Sequence, residues 1–200
     1  MRTRDALVGA ARRIFERDGY LDARIVDIAA EAGVATGSFY THFTSKEDVF
    51  AAVLARLQDE MLHAGVSDGS DEDGGDGGGG RKDLWRGVED ANRAYLESYR
   101  RNAGLMAAME QAAAVDPQFV RVRLERSHVF IDRSAAAIAR LQQSGLADPE
   151  LDPDITARAL SAMVSRLAYV TFVLGQSVPF DTLVGTVTRL WTNALRMPRD

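Results

Sequence analysis

The chain contains no cysteine. That excludes a disulfide framework, a thiolate metal site and a cysteine nucleophile, and it suits a reducing compartment. Histidine is nearly as scarce: His42, His63 and His128 are scattered, with no metal-ligand spacing among them. GxSxG, HExxH and a phosphate-cradling loop are missing too, since the glycine run before Arg81 lacks a following Lys-Ser/Thr pair. Neither an enzyme nor a cofactor is therefore expected. Long apolar runs are also absent. The longest uncharged apolar-rich stretch, Leu167 to Phe180, is too short to span a bilayer and contains Gly175 and Pro179. The opening MRTRDALVGAARRIF is too polar for a secretory signal, so a soluble, cytoplasmic protein is expected. Strand-like alternation appears nowhere, which leaves an all-α chain. An excess of base is lacking as well, for the net charge is −5. Five acids between Ser67 and Gly80 (Asp68, Asp71, Glu72, Asp73 and Asp76) account for that whole deficit. Even so, residues 1–63 hold eight Lys/Arg against ten Asp/Glu. Binding to a polyanion here requires a local basic face, which Arg2, Arg4, Arg24, His42 and Lys46 could supply.

What is present centres on Arg24–Lys46, RIVDIAAEAGVATGSFYTHFTSK. Ile25, Ile28, Ala29 and Ala32 recur at i, i+3, i+4 and i+7, the signature of one helix face. Gly33 interrupts, and Phe39 and Phe43 stand four apart on a second short helix near 35–43. Two helices joined by a tight glycine-containing turn is the helix-turn-helix plan, whose second helix enters the DNA major groove. Upstream, Leu7, Ala10, Ala11, Ile14 and Phe15 form the inward stripe of a first helix, capped by Thr3 and stopped by Gly19. Downstream, Ser45 and Asp48 form a capping-box pattern opening a helix through Val49, Phe50, Val53, Leu54, Leu57 and Met61.

Glycine and acids dominate SDGSDEDGGDGGGG, so residues 67–80 are read as a disordered surface loop. Helices follow from Lys82 to Arg101, from Asn102 to Val115 and from Pro117 to Gln143, with Gly145 as the last one's stop. Residues 154–174 are apolar on nearly all sides, and 180–195 carry an unbroken 3,4 stripe. Two such helices predict burial against a symmetry mate, a homodimer through 154–174 and 180–195.

Ile28-Ala29, Ala32-Gly33-Val34, Gly37, Phe39-Tyr40, His42-Phe43 and Ser45-Lys46-Glu47 together resemble the tetracycline-repressor (TetR) family of bacterial transcription regulators. The matching pattern covers roughly residues 5–50. The resemblance implies a DNA-binding domain at 1–48 and a helical ligand-binding and dimerisation domain at 49–200. It also implies a homodimer, usually a repressor, that leaves a palindromic operator when a small ligand binds. Thr36, Gly37, Ser38, Tyr40 and Thr41 lie off the packing face set by Val34, Phe39 and Phe43, as DNA-reading residues should. Tyr40 and His42 look placed for the DNA backbone as in the family, although a plain surface role also fits them. Lys46 resembles the family's phosphate-binding lysine. Two positions depart from the family pattern. Ala23 and Arg24 stand where a Ser or Thr often caps the second helix, so Asp22 is the substitute cap and Arg24 a phosphate contact. Ala35 replaces a frequent Ser, so Thr36 is the expected cap of the recognition helix.

A ligand-sensing body should enclose an apolar pocket between helices. Trp85, Tyr95, Tyr99, Met106, Met109, Phe130, Tyr169 and Phe172 are the candidate lining residues, with His128 and Arg166 to orient a polar group. Each also fits an ordinary core role, because aromatic stripes at helical spacing usually are core. A small hydrophobic effector is the ligand expected. The weak basic balance also allows a helical small-molecule-binding protein whose DNA head has lost its function.

Overall fold

A computed structural model of the chain describes residues 2–64 and 80–198. Among the described residues the elements are all helical, in the order α1 (Arg2–Asp22), α2 (Ile25–Glu31), α3 (Thr36–Phe39), α4 (Lys46–Ala64), α5 (Gly80–Arg101), α6 (Ala103–Val115), α7 (Pro117–Gln143), α8 (Pro153–Phe172) and α9 (Phe180–Ala194). The all-α expectation is met. The loop expected at 67–80 lies outside the described residues, apart from Gly80, which opens α5.

The chain divides into two compact units, and the division does not fall at residue 48. One unit takes the described part of Met1–Ala64 together with Asn102–Arg123; the other takes that of Gly65–Arg101 together with Leu124–Asp200. Apolar stripes explain the first grouping. α1 buries Leu7, Ala10, Ala11, Ile14 and Phe15, and α4 buries Val49, Phe50, Val53, Leu54 and Leu57. α6 adds Leu105, Met106, Ala108, Met109 and Ala112. Periodicity finds such stripes but not their partners, which is why α6 looks from sequence like part of the second body. Gly104 eases the approach: a Cβ there would stand 3.0 Å from the Glu16 carbonyl oxygen, tighter than ordinary contact, so glycine lets α6 lie close on the α1 backbone.

At the end of α1 the chain is turned by Gly19, whose φ of 75° and ψ of −179° are non-helical. That conformation suits glycine alone. It swings Tyr20 inward, where its ring meets Phe15, Phe50 and Phe119 at centroid distances of 6.0, 4.9 and 5.5 Å. The peptide groups left free by the break find partners on other helices. The Tyr20 and Leu21 N–H groups donate to Gln111 Oε1 of α6 at 2.7 and 3.4 Å. The Tyr20 and Leu21 carbonyls accept from Lys46 Nζ at 2.8 and 3.3 Å, and that ammonium lies 4.6 Å over the Tyr20 ring. The Tyr20 hydroxyl donates to Glu47 Oε1 at 3.0 Å. Burial and this hydrogen bond to a carboxylate both raise the phenol's pKa, so it stays a donor. The Glu47 carboxyl is held below its ordinary range, first by its own backbone N–H, then against burial by Ser45 and Tyr20.

α4 opens as a capping box displaced by one residue. The Asp48 N–H donates to Ser45 Oγ at 3.2 Å, while Asp48 Oδ2 accepts from the Thr44 N–H at 2.9 Å. α1 begins at Arg2, so Thr3 lies within its first turn rather than capping it.

The second unit centres on Ile131, Ala135 and Ile138 of α7, Ala157 and Leu160 of α8, and Leu195 and Met197 after α9, with Leu84, Val88 and Trp191 packed against them. Gly145, at φ 67°, ends α7 as expected: the Leu146 N–H reaches back to the Leu141 carbonyl at 2.8 Å. Asp152 caps α8 by accepting from the Ile155 N–H at 2.8 Å. α8 is less uniform than its composition. Ala157, Leu160, Val164 and Ala168 are buried, whereas Ile155 is 65% exposed and Arg158, Ala159, Ala162 and Arg166 face outward. Within one chain this helix therefore buries a single stripe.

Two outcomes are expected of the first unit. Gly19→Ala strains the backbone and drives its Cβ into the Gln111 amide, with a cost of about 2–4 kcal/mol in urea unfolding; an unchanged midpoint would show that the break is not required. Glu47 has its pKa lower in the folded than in the unfolded state, so its contribution is full above the unfolded value of roughly 4.3 and fades as pH falls through the folded one. Glu47→Gln should therefore be less stable than the parent at neutral pH and approach it under acid conditions. An equal gap at both pH values would mean that ionisation of Glu47 plays no part.

Candidate nucleic-acid interface

α2 begins after Arg24, whose backbone is extended and whose carbonyl accepts from the Asp27 and Ile28 N–H groups, both at 3.1 Å. No side chain caps it, so Asp22 does not take that role. Ile28 and Ala29 are its buried residues. The turn to α3 runs through Gly33 at φ 70°, with the Val34 N–H bonded to the Ala29 carbonyl at 3.0 Å. A side chain is strained at that φ, which accounts for the glycine.

α3 is a single turn rather than the longer helix the spacing predicts. Ala35 is its N-cap, with no side-chain bond, so Thr36 does not cap it either. The chain continues as turns through Tyr40, Thr41 and His42, held by the His42 and Phe43 N–H groups donating to the Phe39 carbonyl at 2.9 and 3.0 Å. Phe39 and Phe43 are buried, with centroids 5.7 Å apart, and they anchor the segment. Anchoring two aromatic residues spaced by four turns the intervening side chains outward. Thr36, Gly37, Tyr40, Thr41 and His42 are exposed and Ser38 half-exposed. Tyr40 packs edge-on against Phe39 at 5.4 Å yet remains 56% exposed. The Thr41 hydroxyl donates to the Ser38 carbonyl at 2.7 Å, leaving its oxygen as an outward acceptor. Beyond its own turn of helix nothing stands within 4 Å of where a Gly37 side chain would be, so the surface there is open.

The two cations predicted for phosphate are both engaged within the chain. Arg24 forms a fork on Asp27, Nε and Nη2 donating at 2.7 and 3.0 Å, and this bonding raises the guanidinium pKa further. Lys46 is held by the carbonyls at the end of α1. Arg4, one of the cations the sequence offers for a basic face, lies on the first turn of α1 with its guanidinium carbon 5.1 Å over the Phe43 ring.

The residues predicted to line an effector pocket do not form one group. Met106 and Met109 belong to the first unit and are core there. In the second unit Phe130, Tyr95, Tyr99 and Phe172 form a chain of ring contacts at 5.9, 6.0 and 6.4 Å. Phe180, which the sequence reading did not select, extends it at 6.4 Å from Phe172, with the Arg100 guanidinium 4.5 Å over its ring. Trp85 stands apart, its indole N–H donating to the Pro198 carbonyl at 3.3 Å. His128 and Arg166 are exposed rather than set among apolar groups. His128 falls one turn before Ile131, the first buried residue of this unit on α7. Arg166 is two positions from both Val164 and Ala168, roughly 200° around α8 from the buried stripe, and rests over Tyr169 at 5.2 Å. A cleft of about 190 Å³ between α1 and α4 is lined by Val8, Arg12, Arg13, Glu16, Arg56 and Glu60, among others, and by no residue predicted for an effector.

No helix among the described residues is long and apolar enough to cross a membrane. No group of acidic or histidine side chains there could hold a metal ion.

Comparison with known proteins matches both ends of the chain. Residues 7–53 fit the pattern of bacterial regulatory proteins of the tetR family, and residues 88–196 fit the C-terminal domain of the transcriptional regulator EthR. The HTH-type transcriptional regulator EthR of Mycobacterium tuberculosis is 25% identical over 195 residues, covering 95% of this chain and 85% of that protein. TtgR of Pseudomonas putida, also an HTH-type transcriptional regulator, is 26% identical over 200 residues, with 98% and 91% covered. A transcriptional regulator from Saccharomonospora viridis, solved in complex with choline, shares the fold at a TM-score of 0.76 and 18% identity, with 98% of each chain covered. With the helix-turn-helix geometry in place at one end and the EthR-type helical domain at the other, the chain belongs to the TetR family of bacterial transcriptional regulators and is not an enzyme.

Proposed function

We propose that the protein is a homodimeric repressor that binds a palindromic operator and is released by a small hydrophobic ligand. The observation that carries the DNA-binding part is the outward segment Thr36–His42, hung on buried Phe39 and Phe43. Its hydroxyls and the Tyr40 ring have the chemistry to meet base edges, thymine methyl groups and sugar-phosphate oxygens. Thr36 gains importance from the cap at Ala35, because its hydroxyl is not used to start α3. Two such segments related by a two-fold axis read two half-sites about one DNA turn, roughly 34 Å, or a multiple apart.

Two features favour dimerisation. α8 leaves Ile155, Ala159 and Ala162 outward, and α9 leaves Gly185 and Leu190 outward, with Leu190 42% exposed. Small and apolar residues on outward helix faces suit close packing against a second copy. For the effector, the ring chain of Phe130, Tyr95, Tyr99 and Phe172 in the second unit is the surface we assign. A regulator of this fold solved in complex with choline supports a small-molecule ligand for the protein. A ligand that changed the separation of the two heads would cost base contacts without touching DNA.

Operator binding tests the reading. A duplex upstream of the protein's own gene should be retarded in a gel at low salt, and Tyr40→Ala should weaken that binding by roughly 10- to 100-fold while leaving the melting temperature unchanged. Failure to shift any fragment of that region would leave a helical ligand-binding protein as the remaining reading. Light scattering should give twice the 21.8 kDa chain mass at micromolar concentration. Ala162→Asp combined with Leu190→Asp should halve the measured mass, and a monomeric parent protein would end the dimer proposal.

A further inference from the structure

A head that approaches DNA is expected to present unspent cations, because phosphate neutralisation supplies the sequence-independent part of binding. This head spends nearly all of its own. Arg12 is paired with Glu16 and Glu60 at 3.0 and 2.7 Å, Arg13 with Glu31 at 2.6 Å and Arg17 with Asp18 at 2.7 Å. Arg24 is forked on Asp27 and Arg56 reaches Glu60 at 3.4 Å. Lys46 is held by two carbonyls. Among the described side chains of residues 2–64, the exception is Arg4, for which the structure shows a ring contact and no carboxylate.

Arg4 is also well placed. Its guanidinium covers Phe43, the residue that closes the recognition turn directly after His42. A guanidinium lying over a ring face engages no carboxylate there, so its N–H groups are available to phosphate oxygens. Arg24 differs, because it brings Asp27 with it. If a phosphate displaced that carboxylate, an anion would remain beside the phosphate, and the pair as a unit would add no net positive charge to the contact.

We propose that Arg4 is the principal phosphate-binding cation of the head, and that Asp27 masks Arg24, so that DNA affinity depends only weakly on salt. This rests on the DNA-binding reading above. The test is the slope of log affinity against log salt, measured by fluorescence anisotropy with two probes: a random-sequence 30-bp duplex and an operator recovered by repeated selection from a random duplex pool. Arg4→Ala should lower the slope by about 0.9 per protomer on both probes, and Arg4→Lys should restore it. Arg24→Ala should leave the slope unchanged, whereas Asp27→Asn, by unmasking Arg24, should raise it by a similar amount. A thermal melt like that of the parent establishes that each variant is folded. An unaltered slope in Arg4→Ala, or a loss in Arg24→Ala, would overturn the proposal while DNA binding itself stood. Binding to neither probe at low salt would overturn the DNA-binding reading, and this inference with it.

Discussion

The first unit depends on the break at Gly19. A helix that ran on through this point would carry Tyr20 in ordinary helical register, with its peptide groups bonded along α1. Turning at φ 75° instead sends the ring into the cluster of Phe15, Phe50 and Phe119 and leaves two N–H and two C=O groups needing partners. Gln111 supplies the acceptor and Lys46 the donor. One glycine thereby ties α1 to α6, ninety residues later, and to the first residue of α4. Because α4 starts just after the recognition turn, the same node sets the frame from which Thr36–His42 projects.

Lys46 shows how a local role can differ from the one a motif suggests. Its ammonium lies over the Tyr20 ring and on two backbone oxygens, which is structural work inside the protein. Arg24 presents a related case, since its fork on Asp27 makes a neutral unit of what the sequence counts as a cation. The slightly acidic balance of residues 1–63 is thus a description of pairing as much as of charge. With few cations left over, what the segment Thr36–His42 turns outward is mainly hydroxyl and aromatic chemistry.

The second unit follows a different logic. Its core of alanine, leucine and isoleucine on α7 and α8 is one-sided, and the aromatic residues of α5, α7 and α8 gather in a chain of ring contacts instead of filling that core. An apolar surface with large rings is adaptable to a ligand, and an outer face of small residues on α8 is adaptable to a partner helix. Both features suit the sensing half of a TetR-family regulator.

Most of the secondary structure was legible in the sequence. The 3,4 stripes located the buried residues of α1 and α4, glycine marked the ends of α1 and α7, and the Ile28-to-Lys46 pattern identified the family. Those features are local: each depends on residues within a turn or two of one another. What the sequence could not determine is which stripe meets which. Helical periodicity says that a face is buried and not what covers it, so the packing of α6, with Met106 and Met109, against α1 could not be read from spacing. In the same way, spacing places a charge without showing its partner. Tertiary structure decided that Lys46 and Arg24 are engaged, that His128 and Arg166 face outward, and that Arg4 stands beside the recognition turn, because hydrogen bonds and ion pairs form between residues that only the folded chain brings together.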